Sequence, residues 1–244
     1  MIVEIIPIQL EKEVKQNDDL VDLILSAGHE LRDRDILVIT QKIISKQEGQ
    51  IVDLSDVNPS LLAMGIASEY GKDPRLVQLI LDQSKRVVRM RNGIIISETI
   101  HGYVCANAGV DESNVGEGKA TLLPRNPDET AERLRRKISE VTGKEVGVVI
   151  SDTFGRPFRE GQTNVAIGVA GIGAIRDYAG MKDNFGRILR VTAIAAADEL
   201  CSAAELVMGK FNRTPISIIR NYRHDSGASK IRDIIRPKSN DLFR

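Results

Sequence analysis

Three stretches of this chain carry oxygen and nitrogen groups at spacings that chemistry can use. Two of them set an aspartate after an apolar run. In Val104-Cys105-Ala106-Asn107-Ala108-Gly109-Val110-Asp111-Glu112-Ser113-Asn114 the acid is Asp111. In Val148-Val149-Ile150-Ser151-Asp152-Thr153-Phe154-Gly155-Arg156-Pro157-Phe158-Arg159 it is Asp152. A carboxylate at a strand end is held by the sheet yet faces open space. Hard cations such as Mg²⁺ and Mn²⁺ take oxygen ligands, and Mg²⁺ sites typically combine one or two carboxylates with substrate phosphates. Asp111 and Asp152 can supply that pair, with the Thr153 hydroxyl as a further ligand. Asp, Asn, Gly and Ser also build plain turns after strands, so either segment alone has a purely structural reading. Arg156 and Arg159 suit bidentate capture of phosphate or carboxylate, or else neutralise Asp152 and Glu160. The third stretch, residues 39–49 (ITQKIISKQEG), follows a buried strand. If it turns helically, Lys42 and Lys46 share a face that meets either a triphosphate or solvent, with Glu48 as a salt-bridge partner.

The elements that must position these groups follow from periodicity. Residues 2–8 and 35–40 read as strands, and 18–31 as an amphipathic helix entered through Asp18. Residues 58–70 and 73–84 read as two helices, each with a proline near its start, where a missing amide proton costs little. Arg91-Asn92-Gly93 between apolar runs at 87–90 and 93–97 signals a hairpin, and 103–106 extends this strand-rich stretch. A helix opens at Asn126-Pro127-Asp128-Glu129, with Asn126 as cap and Glu129 at capping-box spacing, and ends at Gly143. Residues 145–150 form a short buried strand, followed by a Gly-rich passage to Gly186. A strand at 189–192, an Ala-rich helix at 193–208 and a strand at 216–219 complete the chain. Strands and helices intermix without a helix after every strand. The expectation is one domain over residues 1–244, of α+β class with a mixed sheet. A basic tail at about 221–244 serves as a solvated face or a contact for an anionic ligand or a partner chain.

Several chemistries are disfavoured. No G-x-x-x-x-G-K-[ST] phosphate loop occurs, because Gly118-Lys119 is followed by Ala120 and Gly209-Lys210 by Phe211. Gly171-Ile172-Gly173 meets Arg176 where a dinucleotide fingerprint needs Gly or Ala. His29, His101 and His224 are isolated, which disfavours zinc, and no G-x-S-x-G elbow supports a serine hydrolase. Thirty-four basic residues balance thirty-four acidic ones, and tryptophan is absent, so no nucleic-acid partner is expected. No run approaches the ~18 apolar residues of a membrane span. The acidic start reads as a strand rather than a signal peptide. Cys105 and Cys201 read as buried free thiols of a cytoplasmic protein.

The same segments carry a resemblance to a known family. ISKQEG at 44–49, ANAGVDESNV at 106–115, SDTFGRPFREGQTNVAIGVAGIG at 151–173 and ADELCSAAELVMGK at 197–210 resemble the coenzyme F-420 γ-glutamyl ligases. Residues 177–180 (DYAG) and 183–187 (DNFGR) also fit, and the likeness runs from about Val3 to Arg220. The resemblance implies a homodimer with a two-lobed fold of its own, neither Rossmann nor P-loop. The implied reaction adds L-glutamate to the tail of the deazaflavin coenzyme precursor. It uses GTP, a pair of divalent ions (Mn²⁺ or Mg²⁺) and K⁺, and proceeds through an acyl phosphate. By matching position, Asp111 and Asp152 would bind one metal and Thr153 would help bind a second, making Asp111, Asp152 and Lys46 the catalytic set. Gln41, Lys46 and Asn114 would contact GTP, as would Gln9, Leu10, Glu11 and Lys12 and the loop Met208-Gly209-Lys210. Lys210 stands where some members offer an acidic residue to the metal site. A related ligase with another acceptor, or a nucleotide-binding regulator without catalysis, would share much of this sequence.

Overall fold

The computed structural model describes residues 2–225, 227 and 229–242. Met1 lies outside the described residues, as do Ser226, Ala228, Phe243 and Arg244 of the expected basic tail. In chain order the elements begin with β1 (Glu4–Ile8), α1 (Leu20–Ser26), β2 (Ile36–Thr40) and α2 (Gln41–Gln47). A middle section holds β3 (Ile51–Asp53), α3 (Leu61–Tyr70), α4 (Pro74–Asp82), β4 (Ser84–Arg91), β5 (Ile94–Thr99), β6 (Val104–Ala106) and β7 (Lys119–Thr121). The chain continues through α5 (Pro127–Thr142), β8 (Gly147–Arg156), β9 (Arg159–Ala170), β10 (Arg176–Asp177), β11 (Ala193–Ile194), α6 (Ala196–Met208) and β12 (Ile216–Arg220).

The main sheet has the order β1-β12-β2-β8-β9. Its central pair, β2 and β8, is parallel, and the other neighbours are antiparallel. Helix α5 packs on β8 and β9, and α6 on β9 and across to β12 and β1. Cover on both faces explains why β2 reads as an unbroken apolar run: Ile36, Leu37, Val38 and Ile39 are all sealed from solvent. A second core forms in the middle section, where Leu54, Ala63, Ala67, Val77, Ile80, Ile95, Ala108, Val110 and Ala120 pack together. Two cores over one mixed sheet and several small ones make an α+β, two-lobed fold, with neither a Rossmann nor a P-loop arrangement.

Local signals placed several elements well. Asn126 accepts the Glu129 amide proton, Pro127 occupies the first turn of α5, and Gly143 closes it in the left-handed region. Asn92 and Gly93 both take positive φ, which suits a tight hairpin turn between β4 and β5. Other boundaries moved. The first helix spans Leu20–Ser26 only, capped by Asp19 rather than Asp18. Helix α3 starts after its Ser60 cap, not at residue 58. Residues 189–192 are not a strand; the short strand is Ala193–Ile194, and α6 follows from Ala196. The largest difference is β8, which runs ten residues, so 151–156 is strand rather than loop. Beyond Ser151 its parallel partner β2 has ended, and β8 continues as a ribbon paired only with β9.

Candidate active site

The parallel pair creates the site. Thr40 and Ser151 are register partners, so both strands reach the same sheet edge together. There β2 turns into α2 at Gln41 and β8 presents Asp152. The start of β12 lies at this edge too, with Pro215 O accepting from the Thr40 amide. Asp111 arrives from the smaller lobe. Its backbone exchanges hydrogen bonds with Thr121 in both directions (3.1 and 2.8 Å), and the Thr121 hydroxyl donates to the Asp111 carbonyl. The preceding turn is tight: Asn107, Ala108 and Gly109 all have φ between 51° and 74°. Asn and Gly tolerate this region, but the buried Ala108 sits there at some cost, a local strain three residues before Asp111.

A cavity of about 1110 Å³ opens between the lobes at this edge. Asp111, Asp152, Thr153, Gln41, Lys46 and Asn114 all line it, as do Met208, Gly209, Lys210, Leu10 and Lys12. Gln9 and Glu11 are exposed and are not among the lining residues. Leu10 points mainly into the core, with its amide donating to Arg213 O. Arg156 and Arg159 pair across the far end of the β8–β9 ribbon, where the Arg156 guanidinium donates to Glu160 O; neither lines the cavity.

Charge is concentrated around the two aspartates. Lys42 Nζ lies 2.6 Å from Asp111 Oδ2 and also donates to Ser113 O and Oγ. The Ser113 amide and hydroxyl donate to the same carboxylate at 2.8 Å each. Burial works to raise the Asp111 pKa, but Lys42 and Ser113 outweigh it and hold the carboxyl below its usual range. Asp152 behaves in the opposite way. Burial, with help from the charge of Asp111, pushes its pKa up to about 6 against the Thr153 amide, Lys42 and Gln41. The Gln41 side chain is itself buried and held by Ser45 Oγ at 2.9 Å. Lys46, with its side chain 10% exposed, meets Glu13 Oε1 at 2.5 Å.

A part-buried acid whose proton affinity is raised by burial and by a second acid is relieved by a divalent cation, so Asp111 and Asp152 fit one such ion. Among the described residues no group of three or more His, Cys, Asp or Glu side chains could hold a metal. Two carboxylates completed by substrate oxygens is the arrangement hard cations accept. Thr153 offers a cation one hydroxyl oxygen. Its hydroxyl donates to Asn164 Oδ1 at 2.7 Å and accepts from Lys210 Nζ at 2.9 Å.

Glu13, Ser113, Asn164 and Glu205 escaped the sequence reading. Asn164 faces Thr153 only because of the β8–β9 register, and Glu205 reaches it from α6. No local signal marks either; reading 151–166 as a hairpin would have found Asn164.

The family described as F420-0:Gamma-glutamyl ligase matches residues 9–221. A protein of Methanothermobacter thermautotrophicus named "Coenzyme F420:L-glutamate ligase" is 49% identical over 241 residues, covering 95% of this chain and 94% of the relative. Proteins of the same name are 50% identical over 221 residues in Methanocaldococcus jannaschii and 45% identical over 243 residues in Methanopyrus kandleri. These cover 90% and 98% of this chain, and 88% and 96% of the respective relatives. With the match spanning both lobes and every residue that lines the cavity between Lys12 and Pro215, the chain belongs to the F420-0:Gamma-glutamyl ligase family.

Proposed function

We propose that this protein is a GTP-dependent ligase that joins L-glutamate to the tail carboxylate of the deazaflavin coenzyme F-420 precursor through an acyl phosphate. The observation that carries the reading is the convergence of Asp111 and Asp152, from different lobes, in one cavity with Lys42 and Lys46, in a chain so similar over its length to proteins named for this ligation.

A carboxylate is a poor electrophile toward an amine in water, and phosphorylation removes that obstacle. A tail carboxylate oxygen attacks the γ-phosphorus of GTP, the bond to the β–γ bridging oxygen breaks, and GDP leaves. The glutamate nitrogen then attacks the acyl carbon, phosphate departs, and the amine gives up a proton. Asp111 and Asp152 would hold a Mn²⁺ or Mg²⁺ ion, which supplies charge stabilisation to phosphoryl oxygens. The remaining work is positioning and neutralisation by the chain itself. Lys46 is largely buried and preorganised, so its ammonium meets a phosphate with little loss of freedom. Gln41 and the Thr153 amide fix Asp152, and Ser113 and Lys42 fix Asp111. Asn114, in the left-handed region on the same loop, presents an amide to the cavity.

The active unit in this reading is a homodimer in the cytoplasm. Met181, Phe185, Ile188 and Val191 leave an excursion of exposed apolar side chains beside β10 and β11 that a second copy would cover. Both cysteines are buried and free, and no helix among the described residues is long and apolar enough to cross a membrane.

The test is to incubate the protein with GTP, Mn²⁺, L-glutamate and the coenzyme precursor and to follow product by mass spectrometry. A product heavier by one or more glutamyl groups is expected, with one GDP and one phosphate released for each group added. Unmodified precursor across varied metal and salt conditions would sink the reading.

A further inference from the structure

The β8–β9 ribbon has a root and a tip of different character. Its root walls the cavity through Asp152, Thr153, Gln162 and Asn164. Its tip carries two arginines that the chemistry above leaves unused. Arg156 and Arg159 are register partners across Pro157-Phe158, and the chain from Gly155 to Gln162 is exposed throughout. A proline followed by a positive φ, 62° at Phe158, closes the ribbon tightly and pins the two arginines opposite each other. Like charges directly opposite across a strand pair repel. Among the described residues neither guanidinium has an ion-pair partner, so no carboxylate of the chain offsets that repulsion.

Local structure turns one of these charges back toward the cavity. At about 3.3 Å per residue, the Arg156 backbone stands about 10 Å beyond Thr153. Its side chain does not continue outward. Nη2 donates to the Glu160 carbonyl at 2.9 Å and lies 3.8 Å from the Cβ position that a side chain at Gly161 would take. The guanidinium therefore lies beside Gly161, next in sequence to Gln162 of the cavity wall. Gly161 takes φ 82°, which favours glycine, and Gly155, the register partner of Gln162, has open space where a side chain would begin. The two glycines leave a bare strip of ribbon between the cavity and the arginines. A guanidinium has five N–H donors, and the Glu160 carbonyl engages one of those on Arg156.

We propose that Arg156 and Arg159 form an oxyanion subsite at the cavity rim, which holds the phosphodiester of the deazaflavin acceptor while its tail carboxylate reaches Asp111 and Asp152. The inference rests on the ligase reading above and deepens it by naming a contact for the acceptor. An arginine fork meets two phosphate oxygens at once, and a bound anion removes the repulsion between the two guanidiniums. The bare glycine strip gives an extended, anionic chain room to lie along the ribbon from rim to cavity. Glutamate offers carboxylates of the same chemistry. The acceptor is the longer of the two molecules that reach the reacting centre, so it is the one that extends to the rim.

Separate affinities for the three substrates test this. Full-length protein is titrated with the coenzyme precursor, followed by deazaflavin fluorescence, and with a non-hydrolysable GTP analogue, and the KM for L-glutamate is measured alongside. Arg156→Gln and Arg159→Gln should each weaken precursor binding about 10-fold, as expected for one charged hydrogen bond. Affinity for the GTP analogue and the KM for glutamate should stay within about twofold of wild type. Arg156→Lys keeps the charge but not the fork, so its precursor affinity should fall between wild type and Arg156→Gln; it carries the test if a glutamine variant does not fold. Melting temperatures of the glutamine variants should hold or rise slightly, because either change relieves the repulsion at the tip. Unchanged precursor affinity, or a loss confined to glutamate, would overturn the subsite and leave the ligase reading intact. Variants that sediment as monomers where the wild type is a dimer would also overturn it, by placing the arginines at a subunit contact. A wild type that binds the GTP analogue but not the precursor would overturn both. Precursor binding that depends on both arginines, without any glutamylated product, would uphold the subsite and remove the ligase reading.

Discussion

Replacing Asp152 by Asn should make the metal-free protein more stable, although it removes a residue central to the proposed chemistry. The carboxyl moves from an ordinary 3.8 up to about 6 on folding, chiefly through burial and then through the charge of Asp111. A folded-state pKa above the unfolded one means that the folded protein binds the proton more tightly. The stability linked to that proton is therefore present at low pH and lost as pH rises from about 3.8 to 6. At ~1.4 kcal/mol per pH unit, the full penalty is roughly 3 kcal/mol, and about half has developed by pH 5. Asp152→Asn abolishes it while keeping an acceptor for the Thr153 amide, which Asp152 Oδ1 now engages at 2.8 Å. The change costs the variant its charged bond from Gln41, on the order of 1 kcal/mol. A net gain of about 2 kcal/mol at pH 8 corresponds to roughly 4–8 °C for a chain of this size. Melting curves of both proteins in EDTA at pH 5 and pH 8 measure this directly. The gap in favour of the variant should widen by about 1.4 kcal/mol between the two values. Added Mn²⁺ with nucleotide should raise the melting temperature of the wild type alone. A variant less stable than wild type at pH 8, or a gap that ignores pH, would refute the view that Asp152 is held as a costly charge awaiting a cation.

Three other substitutions probe the same framework. Asp111→Asn should lower steady-state ligation by ~10²–10³-fold, and the double variant with Asp152→Asn should lose far less than the product of the two losses, because the pair acts as a unit; multiplicative losses would place the acids in separate roles. Glu13→Gln removes the acid that engages Lys46 at 2.5 Å from a side chain 72% exposed. So exposed a partner is worth no more than ~1 kcal/mol, so GTP affinity in a fluorescence titration should rise by up to about fivefold; a fall would show that Glu13 assists binding instead. Asp35→Asn breaks a buried pair in which Arg220 Nε and Nη2 meet the carboxylate at 3.0 and 2.8 Å. Urea unfolding should show a loss of about 3–5 kcal/mol, and a loss below 1 would mean that the pair is not sealed from water.

What the chain reveals before folding divides by range. The α5 boundaries are legible because their causes are local: the Asn126 side chain, the ring of Pro127 and the left-handed Gly143 act within a few residues. The turn at Asn92-Gly93 is legible for the same reason. Strand β8 is misjudged beyond Ile150 because polar Ser151, Asp152 and Thr153 and then Gly155 and Pro157 resemble a loop, and only pairing with β9 keeps them extended. The aspartates are visible as acids after apolar runs, but their meeting depends on two lobes and on the parallel register of β2 with β8. Lys46 gains its burial, and Lys42 its carboxylate partner, from sequence-distant loops at Glu13 and Asp111. Glu205, on an Ala-rich helix, has no distinguishing context until α6 lies across β9.

The central claim is that this cavity activates a carboxylate by phosphorylation before an amine attacks it. The direct measurement uses precursor labelled with ¹⁸O in its tail carboxylate, incubated with GTP, Mn²⁺ and L-glutamate. The released inorganic phosphate is then analysed by mass spectrometry. One labelled oxygen should appear in phosphate for each amide formed, and the transfer should vanish in the double variant of Asp111 and Asp152. Glutamylated product accompanied by unlabelled phosphate would contradict the account.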